Sequence, residues 1–344
     1  MSRSATKLLL LLTSGTLAMA AFSTPRAAPA PAGTPYRMTI PKGLDEMPIP
    51  DDNPMTVEKI ELGKQLYFDR RLSADGTVSC ATCHDPGKGW TDNLPVSNGI
   101  KGQKGGRSAP TVINSGYAYA QFWDGRAKSL EAQALGPIGN PIEMGEKPEN
   151  VAKKIDAIAG YRSQFRKVYG TDATPEAIAK SIAAFERTIV SGNSPFDRFQ
   201  AGDKTAMPAA AARGFEIFKG KAQCTNCHVG FTQSDSLYHN LGVGMNAAKP
   251  DLGRFAVTKD PKDRGAFKTP TLRDLSKTAP YLHDGSEPTL LGVIELYNRG
   301  GIKNPNLDPK MKPLNLTENE KLDLVAYLEA LDGEFPVVAA PKLP

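Results

Sequence analysis

The sequence predicts a mainly α-helical protein made of two similar domains, and three observations predict it. The pattern C-x-x-C-H occurs twice, at Cys80, Cys83 and His84 and again at Cys224, Cys227 and His228, and it uses all four cysteines of the chain. Each copy follows a similar stretch, Gly63 to Tyr67 in "IELGKQLYF" and Gly214 to Phe218 in "ARGFEIF", so one unit is repeated. The 344 residues are enough for two hydrophobic cores, and 40% apolar with 23% charged residues is a globular balance.

The elements follow in order along the chain. Residues 1–20 carry Arg3 and Lys7, an apolar run from Leu8 to Leu12 and the small-residue site Ala18-Met19-Ala20. This reads as a cleaved secretory signal, too short for a stable membrane span, with an uncleaved anchor as the alternative. Residues 21–40, rich in Ala and Pro, read as a disordered leader, with folded structure starting near Pro41. A first domain is expected over 41–195. In it, "PENVAKKIDAIAGYRSQF" and "TPEAIAKSIAAFERTIV" place apolar residues at helical spacing, among them Ile178, Ile182, Phe185 and Ile189. Thr174 is the expected N-cap of the second of these, with Pro175 in its first turn. The Gly-, Pro- and Asn-rich stretch 191–208 reads as an interdomain linker. A second domain is expected over 205–319. In the final "TENEKLDLVAYLEALDG", Leu324, Leu328 and Leu331 line one face, and 320–344 is a candidate to pack back on the first domain.

The paired motif has a chemical reading. Two thiols spaced by two residues can add to the two vinyl groups of one porphyrin, and the adjoining imidazole can ligate its iron, as in c-type haem attachment. One shared zinc would not need a histidine after each pair, and a disulfide across two residues is strained and redox-active rather than structural. Two covalent haem c groups on two cytochrome c-like helical units are therefore expected. The formal charge of +5, part of it contributed by Arg3 and Lys7, and the lack of any long basic run give no reason to expect nucleic acid as a partner.

The intervening segments "APTVINSGYAYAQFWDGRAKSLEAQALGPIGNPIEMG", "LGVGMNAAKPDLGR" and "FKTPTLRDLSKTAPYLHDGS" resemble the bacterial dihaem cytochrome c peroxidase family, which includes the MauG-type enzymes. The resemblance runs from about residue 41 to the end. It implies that His84 is the proximal ligand of a peroxidatic haem and His228 that of an electron-transfer haem. Reductively activated members carry a blocking histidine in the loop after the first motif. In "SNGIKGQKGGRSAP" Ile100 stands there, so an open iron is expected, as in the MauG-type branch.

Further roles follow from the same resemblance. Glu143 matches the family's acid, Gln133 and Pro137 match other distal-pocket positions, and Trp123 matches the tryptophan between the two haems. Trp90 reads as packing. Tyr297 matches the far-side ligand of the second haem, where ordinary members have methionine; Met245 and Met311 are the alternatives. His239 and His283 read as structural hydrogen-bonding residues. Thr278 and Pro280 match carbonyl donors to a bridging calcium, and Ser108 stands where an amide is expected after Arg107.

The implied activity is a periplasmic peroxidase. It reduces hydrogen peroxide to water with electrons from a small redox protein, a cytochrome c or a cupredoxin. One alternative is peroxide-dependent oxidation of a side chain in a partner protein, as in tryptophan tryptophylquinone maturation. A pure dihaem electron carrier is a third reading, against which Ile100 argues.

Overall fold

The computed structural model describes residues 33–344. The segment read as an export signal and most of the leader lie outside the described residues. Residues 34–40 are already tied down: Tyr36 N–H donates to Met55 O at 3.1 Å, Val57 N–H donates to Thr34 O at 2.9 Å, and Met38 and Ile40 pack on apolar neighbours. The folded part therefore begins ahead of Pro41. Backbone pairing to the segment before the first helix supplies the order that the Ala/Pro-rich composition does not.

The described chain is mainly helical. In its first half the helices are α1 (Val57–Phe68), α2 (Cys80–Cys83), α3 (Leu130–Gly139), α4 (Pro148–Asp156), α5 (Ala159–Tyr169) and α6 (Pro175–Glu186). The second half carries α7 (Pro195–Gln200), α8 (Ala209–Lys219), α9 (Phe255–Thr258), α10 (Leu290–Asn298) and α11 (Glu318–Glu329). The short strands β1 (Tyr238–His239) and β2 (Phe267–Lys268) pair antiparallel. No helix among the described residues is long and apolar enough to cross a membrane.

The repeated segment explains itself in the packing. A Cβ on Gly63 of α1 would collide with the Ser181 carbonyl on α6, and a Cβ on Gly214 of α8 would collide with the Asp323 carbonyl on α11. In both halves the helix ahead of the haem motif therefore crosses its partner backbone to backbone, which only glycine permits. The α1/α6 pair carries a core of Leu62, Leu66, Tyr67, Trp90, Ile178, Ile182 and Phe185. The α8/α11 pair carries a second core with Phe218, Leu324, Tyr327, Leu328 and Leu331. Thr174 caps α6 by accepting from Ala177 N–H at 3.1 Å.

Local chemistry changes two other elements. The stretch 191–208 holds α7, because Ser194 and Asp197 form a reciprocal capping box and Phe196 inserts into the second core. Residues 320–344 divide: α11 belongs to the second core, while Phe335 and Val338 pack on the first.

Several contacts join the halves. Arg273, buried, donates two 2.9 Å bonds to Asp197 and others to Phe231 O and Gly43 O. Arg107 bridges Asp124 and Asp251 at 2.7 and 2.6 Å. Lys268 N–H donates to Trp123 O, and Ser108 N–H to His283 O, both at 2.8 Å.

Candidate haem sites

In the first motif, α2 opens at Ser79 and ends at His84, so the two thiols and the imidazole come from one helical turn. Tyr67 O–H donates to His84 O at 2.9 Å and anchors that turn to α1. His84 Nδ1 is buried without a partner in hydrogen-bonding geometry, although the Trp90 and Pro110 carbonyls face it. Burial pushes the His84 imidazole below its ordinary value, which keeps it in the neutral form that a metal needs.

The second motif is a short 3-10 turn, Cys224–Asn226, followed by His228. His228 Nδ1 lies 2.9 Å from Gln233 O. With Nδ1 carrying the proton toward that carbonyl, Nε2 keeps its lone pair, the arrangement of a second-shell partner fixing a metal-ligating histidine. Cys224, Cys227 and His228 line a cavity of about 520 Å³, within the range of cofactor pockets, roughly 300–1,000 Å³.

None of the four cysteines is in a disulfide. Burial pushes the Cys83 thiol up to about 11 and the Cys224 thiol up to about 12. Paired free thiols beside a neutral imidazole, with a cavity in front of the second pair, fit a haem of c type.

Tyr297, on α10, lines that cavity, and burial, reinforced by Cys224 and Cys227, pushes its phenol well above the ordinary range. Met311 lines the cavity too. Met245 is not on its wall; its sulfur packs beside Gly265 instead. Trp123 also lines the cavity and donates from Nε1 to Ser108 O at 2.9 Å. Trp90 is fully buried, edge-on to Tyr67 with ring centres 5.8 Å apart.

Glu143 sits in the turn after α3, and a turn of chain near Cys83 closes on it. Ile100 N–H donates to Glu143 O at 2.9 Å, and Gly99 lies against the Ile142 carbonyl. The Ile100 side chain is buried in the first core, its Cδ1 against Gly145. Asn140 Nδ2 donates to Glu143 Oε1 at 2.7 Å. Burial pushes the Glu143 carboxyl up, with the Arg126 charge and the Asn140 amide pulling it down. Gln133 lies in the middle of α3, half-buried, and Pro137 is in its last turn, where its carbonyl accepts from Asn140 and Met144.

The remaining positions are also located. His239 lies between Asp308, 2.6 Å from Nδ1, and Asp235, 2.9 Å from Nε2. His283 stacks on Phe267 with ring centres 3.6 Å apart. Ser108, Thr278 and Pro280 share the cavity wall, but the Ser108 carbonyl already accepts from Trp123. Among the described residues, the one cluster of three or more His, Cys, Asp or Glu ligand atoms is Cys227, Asp235 and His239.

Comparison with known proteins bears on this geometry. The model of the di-haem cytochrome c peroxidase family matches residues 57–205. The methylamine utilization protein MauG of Methylorubrum extorquens is 44% identical over 87% of this chain and 85% of its own. This chain belongs to the di-haem cytochrome c peroxidase family. A cytochrome-c peroxidase of Denitromonas iodatirespirans, another relative, is 41% identical over 88% of this chain and 89% of its own. A crystal structure of a MauG-like protein associated with microbial copper homeostasis superposes with a TM-score of 0.80 and 33% identity, covering 87% of this chain and 96% of that one. The family is di-haem.

Sequence reasoning missed Asn140. Its signal was present, since Asn-Pro after a helical run marks a capped end, but nothing in the sequence aims its amide at Glu143.

Proposed function

We propose that this member of the family is a periplasmic peroxidase with two covalently attached haems, Cys80, Cys83 and His84 holding the first and Cys224, Cys227, His228 and Tyr297 the second. The reaction consumes one hydrogen peroxide, two electrons and two protons and gives two waters. Bound at the first site, haem supplies an iron that can bind peroxide and accept electrons one at a time.

The chain's own residues do the rest. Glu143 takes the proton from the peroxide oxygen to be bound and returns it to the departing oxygen, and its upward-shifted carboxyl suits both steps. Gln133, in the middle of α3, and Pro137, one turn further along the same helix, shape that side of the pocket. Trp123, a polarizable indole on the wall of the second cavity, carries the electron between the sites. Export by residues 1–20 places the protein where a cytochrome c or a cupredoxin can reach the second site. A calcium ion held by Thr278, Pro280 and Ser108 completes the assignment; metal analysis after chelation tests it.

The observation that carries the reading is Ile100. Its side chain is aliphatic and committed to the core and its N–H to Glu143 O, so the turn that bears it brings no imidazole to the first haem. Steady-state consumption of peroxide with a reduced cytochrome c or cupredoxin tests it, and no turnover with either donor would count against it. A second reading, peroxide-dependent oxidation of a side chain in a partner protein, is favoured by Tyr297 in the second cavity. It predicts two-electron oxidation of a protein substrate by the peroxide-treated enzyme with no reductant added.

A further inference from the structure

Glu143 serves two different oxygens of a small substrate most efficiently when its carboxylate is held in one orientation. A glutamate on a turn has several rotamers of similar energy, and the backbone bond from Ile100 fixes its main chain, not its side chain. The side chain has one hydrogen-bond partner among the described residues, the amide of Asn140, on Oε1. Oε2 has none. One oxygen is thus pinned while the other stays available for a proton.

Asn140 is itself fixed. It follows α3 as its C-cap, and its N–H donates to Pro137 O at 3.2 Å. Its Oδ1 accepts from Ile142 N–H at 3.0 Å, and its backbone carbonyl accepts from Glu143 and Gly145. Turning the amide over would set Oδ1 against the Glu143 carboxylate and lose the Ile142 bond, so the donor direction has one stable choice. The charged group facing Glu143 is Arg126, bound to both oxygens of Asp124 at 3.0 Å and stacked 3.5 Å over Phe122. From the motif side Cys83 faces it, and that thiol is consumed by haem attachment.

We propose that Asn140 is the positioning residue of the peroxide site, pinning Oε1 of Glu143 so that Oε2 alone exchanges the proton. The proposal rests on the reading of Glu143 as the proton-transfer group.

The test uses the oxidised holoprotein and hydrogen cyanide, which must surrender its proton to a base before cyanide binds iron, so no turnover is involved. The binding rate is followed by stopped flow from pH 5 to 9 for the wild type, Asn140→Asp, Asn140→Leu and Glu143→Gln. Asn140→Asp keeps the size and the Ile142 contact while replacing the donor with an anion. It should slow binding at neutral pH by roughly ten- to a hundredfold, the worth of a hydrogen bond to a charged group, and move the midpoint of the profile up by about one pH unit or more. Asn140→Leu should slow binding similarly. If it does not fold, Asn140→Asp decides alone. Asn140 variants that superimpose on the wild type while Glu143→Gln is slow overturn the proposal, as does a slower rate with an unmoved midpoint. If Glu143→Gln also matches the wild type, it is the reading of Glu143 that fails.

Discussion

Replacing Tyr297 by Phe removes one oxygen from the second cavity and leaves the ring to fill the same space. In the chain alone that oxygen is a phenol, because burial disfavours the phenolate and each pK unit of upward shift is worth about 1.36 kcal/mol. Only a cation in the cavity, such as the iron that a haem held by Cys224, Cys227 and His228 would supply, can repay that cost. The proposed ligand is therefore an anion that prefers the ferric state. Losing it should raise the reduction potential of the second haem by on the order of 0.1 V or more, given that axial ligands span about 0.8 V. A shift of 0.1 V is roughly a fiftyfold change in the reduced-to-oxidised ratio, at 59 mV per factor of ten. Met311 lines the same cavity and is a thioether that can replace the lost oxygen, so the double variant Tyr297→Phe with Met311→Leu tests whether methionine takes its place. The assay is spectroelectrochemical titration, with near-infrared and electron paramagnetic resonance spectra of the ferric protein. A methionine-type band in the wild type that persists in Tyr297→Phe, with an unchanged potential, would refute the reasoning.

Three further outcomes follow from the packing. Glu186 is buried with its carboxyl pushed up to about 8 by burial, Arg187 opposing and Glu131 adding to the shift; between pH 4.5 and 8 the folded chain thus keeps a proton that the unfolded chain has lost, and stability falls as pH rises through that window. Glu186→Gln should match the wild type near pH 4.5 and exceed it at pH 8 by up to about 4 kcal/mol in denaturant titrations. Arg273→Met strands the Asp197 carboxylate between the two halves, and breaking such a buried pair should cost about 3–5 kcal/mol of stability at pH 7, seen as an earlier unfolding midpoint. Trp123→Phe should leave the reaction of peroxide with the first haem unchanged while slowing electron transfer from the second by about tenfold or more, equivalent to 1.4 kcal/mol of barrier; equal single-turnover rates would remove the indole from the route.

Much of the architecture was readable in the residues. The repeated Gly-x-x-apolar-aromatic segment gave away the duplication, and Thr174-Pro175 fixed the start of α6, because caps and helical periodicity are local properties. The reason for the repeated glycine is not local. It lies in carbonyls of Ser181 and Asp323, more than a hundred residues away in each case, and no spacing rule contains them. The stretch "PENVAKKIDAIAGYRSQF" reads as continuous helical periodicity but forms α4 and α5, parted at Ala157 and Ile158. At the sites, the two Cys-x-x-Cys-His clusters were legible because their members are adjacent in sequence and come from single short turns. Chain topology decides that Tyr297 and Met311 meet Cys224 and Cys227 across one cavity while Met245 does not. The pinning of Glu143 by Asn140 depends on the path of the turn, which composition does not specify.

The proposed first haem has a face that Ile100 leaves free and Glu143 serves. The most direct measurement is stopped-flow mixing of the fully oxidised holoprotein with hydrogen peroxide, with no reductant present, followed in the Soret region. A prompt, peroxide-dependent spectral change that consumes one equivalent of peroxide per protein is the predicted result. If the spectrum stays that of the resting ferric protein until one electron is supplied, the first haem is closed at rest and the account is wrong at its centre.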